Sequence, residues 1–225
     1  MKELDLLSDY PKPHSPRLIS KNLRKIEHRI VASERGKDFF DGERNYGYGG
    51  FNYDGRWKKI ASRIIDNYEL SNGYKVLQVQ SEKGFLLHDI KEKNAALNVY
   101  GTETSPYAIK NTIESIKNNI FLAQPFNLPF PNNYFDFVIA LGTVYTFNIP
   151  YAIKSLQEII RVSKGMSFIT LACYDTEEEY FCFKDWTLLG TTILKRKEWL
   201  KILKHCNYRG DYFFTSSKSL ELKRV

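Results

Sequence analysis

Histidine, methionine and cysteine are scarce in this chain, with four, two and three copies among 225 residues. Cys173, Cys182 and Cys206 form no CxxC pair and are odd in number. That argues against a disulfide frame and for buried, reduced thiols in a cytoplasmic protein. His14, His28, His88 and His205 keep no metal-ligand spacing with cysteines or acids, so no metal is expected. No apolar run approaches the roughly 18 residues of a membrane span, and the polar, proline-bearing N-terminus lacks a signal-peptide pattern. Neither a membrane nor an export role is expected. Internal repeats and low-complexity tracts are absent too.

The most telling scarcity is glycine in the segment Val76-Leu77-Gln78-Val79-Gln80-Ser81-Glu82-Lys83-Gly84-Phe85-Leu86. A short apolar run, a turn and an amphipathic start form a strand–turn–helix unit, which brings nucleotide-like ligands to a strand's carboxyl end. Such turns ordinarily hold several glycines so that backbone can approach the ligand. Here only Gly84 remains. A side chain at a position that needs positive φ is expected to cost about 1 kcal/mol or more.

What is present is a globular composition, 43% hydrophobic and 26% charged. Aromatics reach 15% and cluster between Tyr46 and Trp57 and between Tyr174 and Trp186. The length suits one full core preceded by an extension. The net charge of +7 divides as +3 over residues 1–70, −2 over 71–194 and +6 over 195–225. The excess therefore lies largely on the last helix and tail, as a solvated face, and no nucleic-acid partner is expected.

From Lys75 onward, short apolar runs alternate with helical periodicity, the mark of a mainly parallel sheet. Strands are predicted at 75–79, 97–102, 120–124, 134–141 and 165–173, and helices at 83–92, 106–118, 150–163 and 196–206. Pro106 after Thr104-Ser105 suits a capped helix start. Residues 175–186 are read as an acidic, aromatic loop, and 211–215 with 219–223 as a terminal hairpin. Residues 1–20 read as extended, 20–34 as a basic helix and 56–69 as a second helix, with the YGYGGFNYDGRW segment irregular between them.

Three segments occur in an informative order: VLQVQSEKGFL (76–86), VYGTETS (99–105) and LPFPNNYFDFVIA (128–140). Together they resemble class I S-adenosylmethionine-dependent methyltransferases over residues 70–225. The resemblance implies an α/β, Rossmann-like sheet, mostly parallel with a reversed C-terminal strand, and helices on both faces. Glu103, followed by Thr104, then stands at the ribose-binding acid. Gln124, with Pro125 and Phe126, stands where the adenine amino group is met. Gln78, Gln80 and Gly84 line the first turn, with Glu82 at another glycine position, and Leu141 lies beside the methyl donor.

Residues 40–57 and the tail around Leu188–Thr192 resemble a methyltransferase subgroup often associated with bacterial surface-carbohydrate genes. On that resemblance residues 1–70 are an extension and lid, 71–225 are the methyltransferase domain, and Tyr48 and Arg56 close over the cofactor's methionine end. Tyr174, Glu177 and Asp211 are candidates for acceptor binding or proton removal, with Tyr174 and Asp211 as the catalytic choices. Arg24, Arg29, Arg35, Arg44 and Arg56 would suit a phosphate-bearing acceptor. The resemblance implies S-adenosylmethionine and S-adenosylhomocysteine as ligands, a small acceptor, anionic or sugar-linked, and O-methylation in surface-polysaccharide biosynthesis. The alternative is a methyltransferase-like chain that no longer catalyses and binds or activates a related enzyme, as a homo- or heterodimer. It is motivated by the joint substitutions at Gln78, Gln80 and Glu82.

Overall fold

The computed structural model describes residues 1–225. The first third holds a short strand, β1 (Arg17–Ile19), and three helices, α1 (Ile26–Ser33), α2 (Lys37–Asp41) and α3 (Lys58–Asn67). Alternation then begins with β2 (Lys75–Val79), α4 (Phe85–Lys93), β3 (Asn98–Glu103), α5 (Pro106–Lys110) and β4 (Ile120–Leu122). It continues through β5 (Phe135–Ala140), α6 (Ile149–Val162) and β6 (Ser163–Tyr174). The chain closes with α7 (Glu177–Trp186), β7 (Leu194–Lys195), α8 (Arg196–His205), β8 (Asp211–Thr215) and β9 (Leu222–Arg224).

The central sheet runs β4-β3-β2-β5-β6, with β8 paired to residues 168–172 of β6 and β7 to residues 173–174. Every pairing in it is parallel. Strand direction and the 3.6-residue helical stripes explain the two cores. Val76, Phe137, Ile139 and Phe168 face α3 and α4, where Ile60, Ile64, Leu87 and Ile90 are buried. Leu77, Val79, Val138 and Ile169 face α6 and α8, against Leu156, Ile159, Trp199 and Leu203. A sheet covered on both faces needs near-continuous apolar strands, and FDFVIA supplies one. The strand order reverses between β2 and β5, so a crevice opens at their carboxyl ends.

Three expectations are corrected. The terminal hairpin and its reversed strand do not form. After β6 the chain crosses through α7 and α8, so β8 returns parallel, and β9 leaves to pair with β1. Residues 175–186 are largely helix: Thr176 caps α7 by accepting from the Glu179 N–H, three acids occupy the first turn, and Glu179, Cys182 and Phe183 form a buried stripe. The predicted helix over 106–118 stops at Lys110 and resumes as a 3₁₀ segment over Glu114–Asn119. Its start is as expected, with Ser105 Oγ accepting from the Ala108 N–H. The N-terminal residues are put to structural use. Lys2–Leu4 run beside β8, where Tyr212 N–H donates to the Lys2 carbonyl and Leu4 N–H to the Tyr212 carbonyl.

Candidate ligand site at the carboxyl edge of the sheet

The turn after β2 places three alternate residues in the left-handed region: Gln80 (φ +61°), Glu82 (φ +56°) and Gly84 (φ +80°). Glycine is favoured at the last by φ and by space, since a Cβ there would lie 2.4 Å from the Ile116 Cδ1 and that side chain would have to shift. At the other two the fold retains the glycine-type conformation with a side chain attached, at about 1–2 kcal/mol each. Tertiary bonds hold the turn in place. Ser81 N–H donates to the Thr102 carbonyl at 2.8 Å, and Glu82 N–H donates to Glu103 Oε2 at 2.9 Å.

The side chains of this turn are poorly satisfied. Gln80 donates through Nε2 to Thr104 Oγ1 at 3.2 Å, but its buried Oε1 has no partner, and neither has that of Gln78. The Glu82 carboxylate enters no side-chain hydrogen bond, and burial pushes its pKa up to about 7, with nearby Glu103 adding to the rise and Arg35 opposing it. Glu103, fully buried at the tip of β3, is saturated instead. It accepts from the backbone of Glu82, Thr104 and Ser105, from the Thr104 hydroxyl at 3.2 Å, and from Arg35 through Nε and Nη2, both at 3.3 Å.

A cavity of about 520 Å³ opens over these strand ends. Gln80, Thr104 and Gln124 line it from the sheet, Thr146 and Phe147 from the segment after β5, Arg29 from α1, Arg35 from the link that follows it, and Leu188–Thr191 from beyond α7. Tyr48 shapes that last wall. Its hydroxyl accepts from the Leu188 and Leu189 N–H groups at 2.7 and 3.0 Å and pairs with Thr187 Oγ1 at 3.0 Å. A second cavity, about 50 Å³, lies between Gly49–Phe51 and Gln78, Ser81 and Glu82. It is about a third of the roughly 150 Å³ that admits benzene in an engineered apolar cavity.

The predicted residues separate into groups. Gln80, Thr104 and Gln124 converge on the large cavity, with Glu103 directly beneath, while Gln78 borders the small one and Gly84 shapes the turn. Leu141 is half-buried at the end of β5, before Gly142. Pro125 is buried, and Phe126 packs against Phe147 and Tyr151 rather than lining either cavity. Arg56 is engaged by Asp54 in a close pair (Nε to Oδ1, 2.8 Å) that holds the Asp54 carboxyl down at about 2.

The two catalytic choices lie outside both cavities. Asp211 begins β8 beside Phe168 of β6, where it accepts from the Lys2 N–H at 2.7 Å and from the Tyr68 hydroxyl at 3.2 Å and lines neither cavity. Tyr174 ends β6 at the correct edge but packs against Tyr180, outside both cavities. Glu177 is exposed at the start of α7. Sequence reading placed Arg35 only among the basic residues of the extension. Nothing local to it signals contact with Glu103, 68 positions away.

A family model described as "Methyltransferase domain" matches residues 77–170. No curated protein sequence matches the chain. Among solved structures, an Anabaena variabilis protein assigned as a methyltransferase of an antibiotic biosynthesis pathway shares 24% identity at a TM-score of 0.41. That match covers 47% of this chain, which spans 41% of the length of that protein. A Haloferax volcanii protein assigned as a methyltransferase, solved with the Trm112 methyltransferase activator, gives 16% identity and a TM-score of 0.51 over 68% of this chain and 72% of its own. The [4+2]-cyclase SpnF gives 13% and 0.55 over 85% of this chain and 73% of its own. The fold is thus the Rossmann-like fold of class I methyltransferases, which also carries a cyclase.

Proposed function

We propose that this chain is an S-adenosylmethionine-dependent methyltransferase acting on a small acceptor. The observation that carries the reading is the cavity over the β2–β5 crevice, with Glu103 at one strand tip and Gln124 beyond the next. The methyltransferase-domain match over residues 77–170 supports it. The residues present fit the nucleoside portion of the cofactor. Gln124 offers an amide donor and acceptor for an adenine edge, the orphan Oε1 of Gln80 can accept, and Glu103 is the acid for a ribose diol. When bound, the cofactor would supply a methyl group on a sulfonium.

The chain's own contribution is chiefly positioning and the exclusion of water. Residues 1–70 act as the lid in this reading, with Tyr48 fixing the 187–190 wall and Gly49–Phe51 covering the turn after β2. Thr146, Thr191 and Arg29 give the outer cavity a polar, cationic lining. That lining suits a hydroxyl-bearing acceptor with sugar or phosphate character, hence O-methylation, with surface-polysaccharide assembly in the cytoplasm as its setting.

Glu82 weakens the methionine end, where the small cavity leaves little room. Calorimetry with S-adenosylhomocysteine is the direct test. Weak binding by the native chain is expected, tightening by about tenfold in Glu82→Gly as the side-chain bulk beside the small cavity is removed. No heat at millimolar ligand from either protein would sink the enzyme reading and favour a non-catalytic partner of a related enzyme.

A further inference from the structure

Glu103 is the acid expected to receive a ribose diol, yet both of its oxygens are already in use. A carboxylate offers about four lone-pair positions. Three are taken by the N–H groups of Glu82, Thr104 and Ser105, at 2.8–2.9 Å. Those donors belong to the strand-tip turns and stay as long as the turns do. Oε1 also receives the Thr104 hydroxyl at 3.2 Å, and the Arg35 guanidinium crowds onto both Oε1 and Oε2 in a two-pronged contact. A diol and Arg35 compete for the same positions, and Arg35 also lines the cavity the nucleoside would enter.

Arg35 is held in a manner that permits release. Both of its contacts to Glu103 are 3.3 Å, longer than the 2.7–2.9 Å of a strong charge-assisted pair. Its backbone is left-handed at φ +49°, in the three-residue link between α1 and α2, with Gly36 next to it. Its guanidinium also lies 5.2 and 5.5 Å from the ring centres of Phe39 and Phe40, which supply a cation–π contact independent of Glu103. The side chain is 13% exposed against 0% for Glu103, so it forms the outer layer over the acid.

We propose that Arg35 is a built-in gate on the nucleoside site, closed when paired with Glu103 and displaced when a ribose diol takes the acid. The inference rests on the proposed reading of the cavity. It makes the apparent affinity for an adenosyl ligand depend on the fraction of molecules in which Arg35 is away, so an open fraction of about one tenth weakens binding about tenfold.

Titration calorimetry with S-adenosylhomocysteine tests this on the full chain, using Arg35→Gln, which keeps a polar side chain, and Arg35→Gly, which relieves the left-handed backbone. Thermal melting identifies which variant is folded. Binding about tenfold tighter than native in a folded variant, with the gain lost when Glu103→Gln is added, supports the gate. In the native chain, saturating ligand should also speed hydrogen exchange at Glu34–Gly36. Equal or weaker binding by both variants, while the native chain binds, overturns the gate and leaves the methyltransferase reading standing. Failure of every protein to bind at millimolar ligand overturns the methyltransferase reading, and the gate with it.

Discussion

Glu82 concentrates the residue-scale question. It stands at a position whose backbone remains left-handed, its carboxylate enters no side-chain hydrogen bond, and burial brings its pKa to about 7. The folded chain therefore holds a proton on Glu82 at pH values where the unfolded chain has released it. Below the ordinary glutamate pKa both states are protonated and no penalty exists. Stability then falls as pH rises toward 7 and levels off above, a total of about 3 kcal/mol from a shift of this size. Glu82→Gln should flatten that slope. Denaturant unfolding of both proteins from pH 4.5 to 8 measures the difference, and parallel curves would refute the assignment.

At the scale of elements, one phenol holds the first part of the wall formed by residues 187–191, while the Thr191 N–H donates to the Tyr145 carbonyl. Tyr48 accepts two backbone N–H groups there, and its ring lies 5.1 Å from that of Trp186. Tyr48→Phe keeps the ring contact and leaves both donors without their acceptor, so a loss of about 1–3 kcal/mol is expected. Hydrogen exchange should rise at Leu188 and Leu189 while β2 and β5 stay protected, a pattern that a general destabilisation would not produce. The α7 cap is a second element-scale device. Thr176→Ala should cost about 1 kcal/mol in chemical denaturation, from loss of the bond to the Glu179 N–H. An unchanged midpoint would show that the three acids of the first turn suffice.

For the molecule as a whole, the N-terminal third is part of the fold's closure. Lys2–Leu4 cover β8, β1 pairs with β9, and Lys83 of the first turn reaches Asp41 at 2.5 Å. An open edge strand is a template for pairing with other chains. Removing residues 1–4 should lower the melting temperature and promote self-association, seen by light scattering as mass rising with concentration. A monomeric, equally stable truncation would show that the edge needs no cover. No helix is long and apolar enough to cross a membrane.

The strands of the sheet were legible in the sequence because each follows from a local pattern. Apolar runs of five or six residues, helical stripes and Ser105-Pro106 at a helix start each announce their element without reference to the rest. The carboxyl-edge site was legible in outline for the same reason, since strand tips lie where strands end, and Gln80, Thr104 and Gln124 do converge. What depended on crossover geometry was not. A short polar turn between two β-rich runs looks like a hairpin, but the helical return after β6 makes β8 parallel and leaves Asp211 beside Phe168, among Lys2 and Tyr68. Nor does any local signal pair Arg35 with Glu103 or hand the 187–190 amides to Tyr48. Residues 68 and about 140 positions apart meet only once the extension has packed over the sheet. The amino-acid order by itself determined the scaffold and the glycine-poor turn. Tertiary packing decided which side chains occupy that turn's ligand-facing side, because long-range contacts choose among conformations that local sequence leaves equally open.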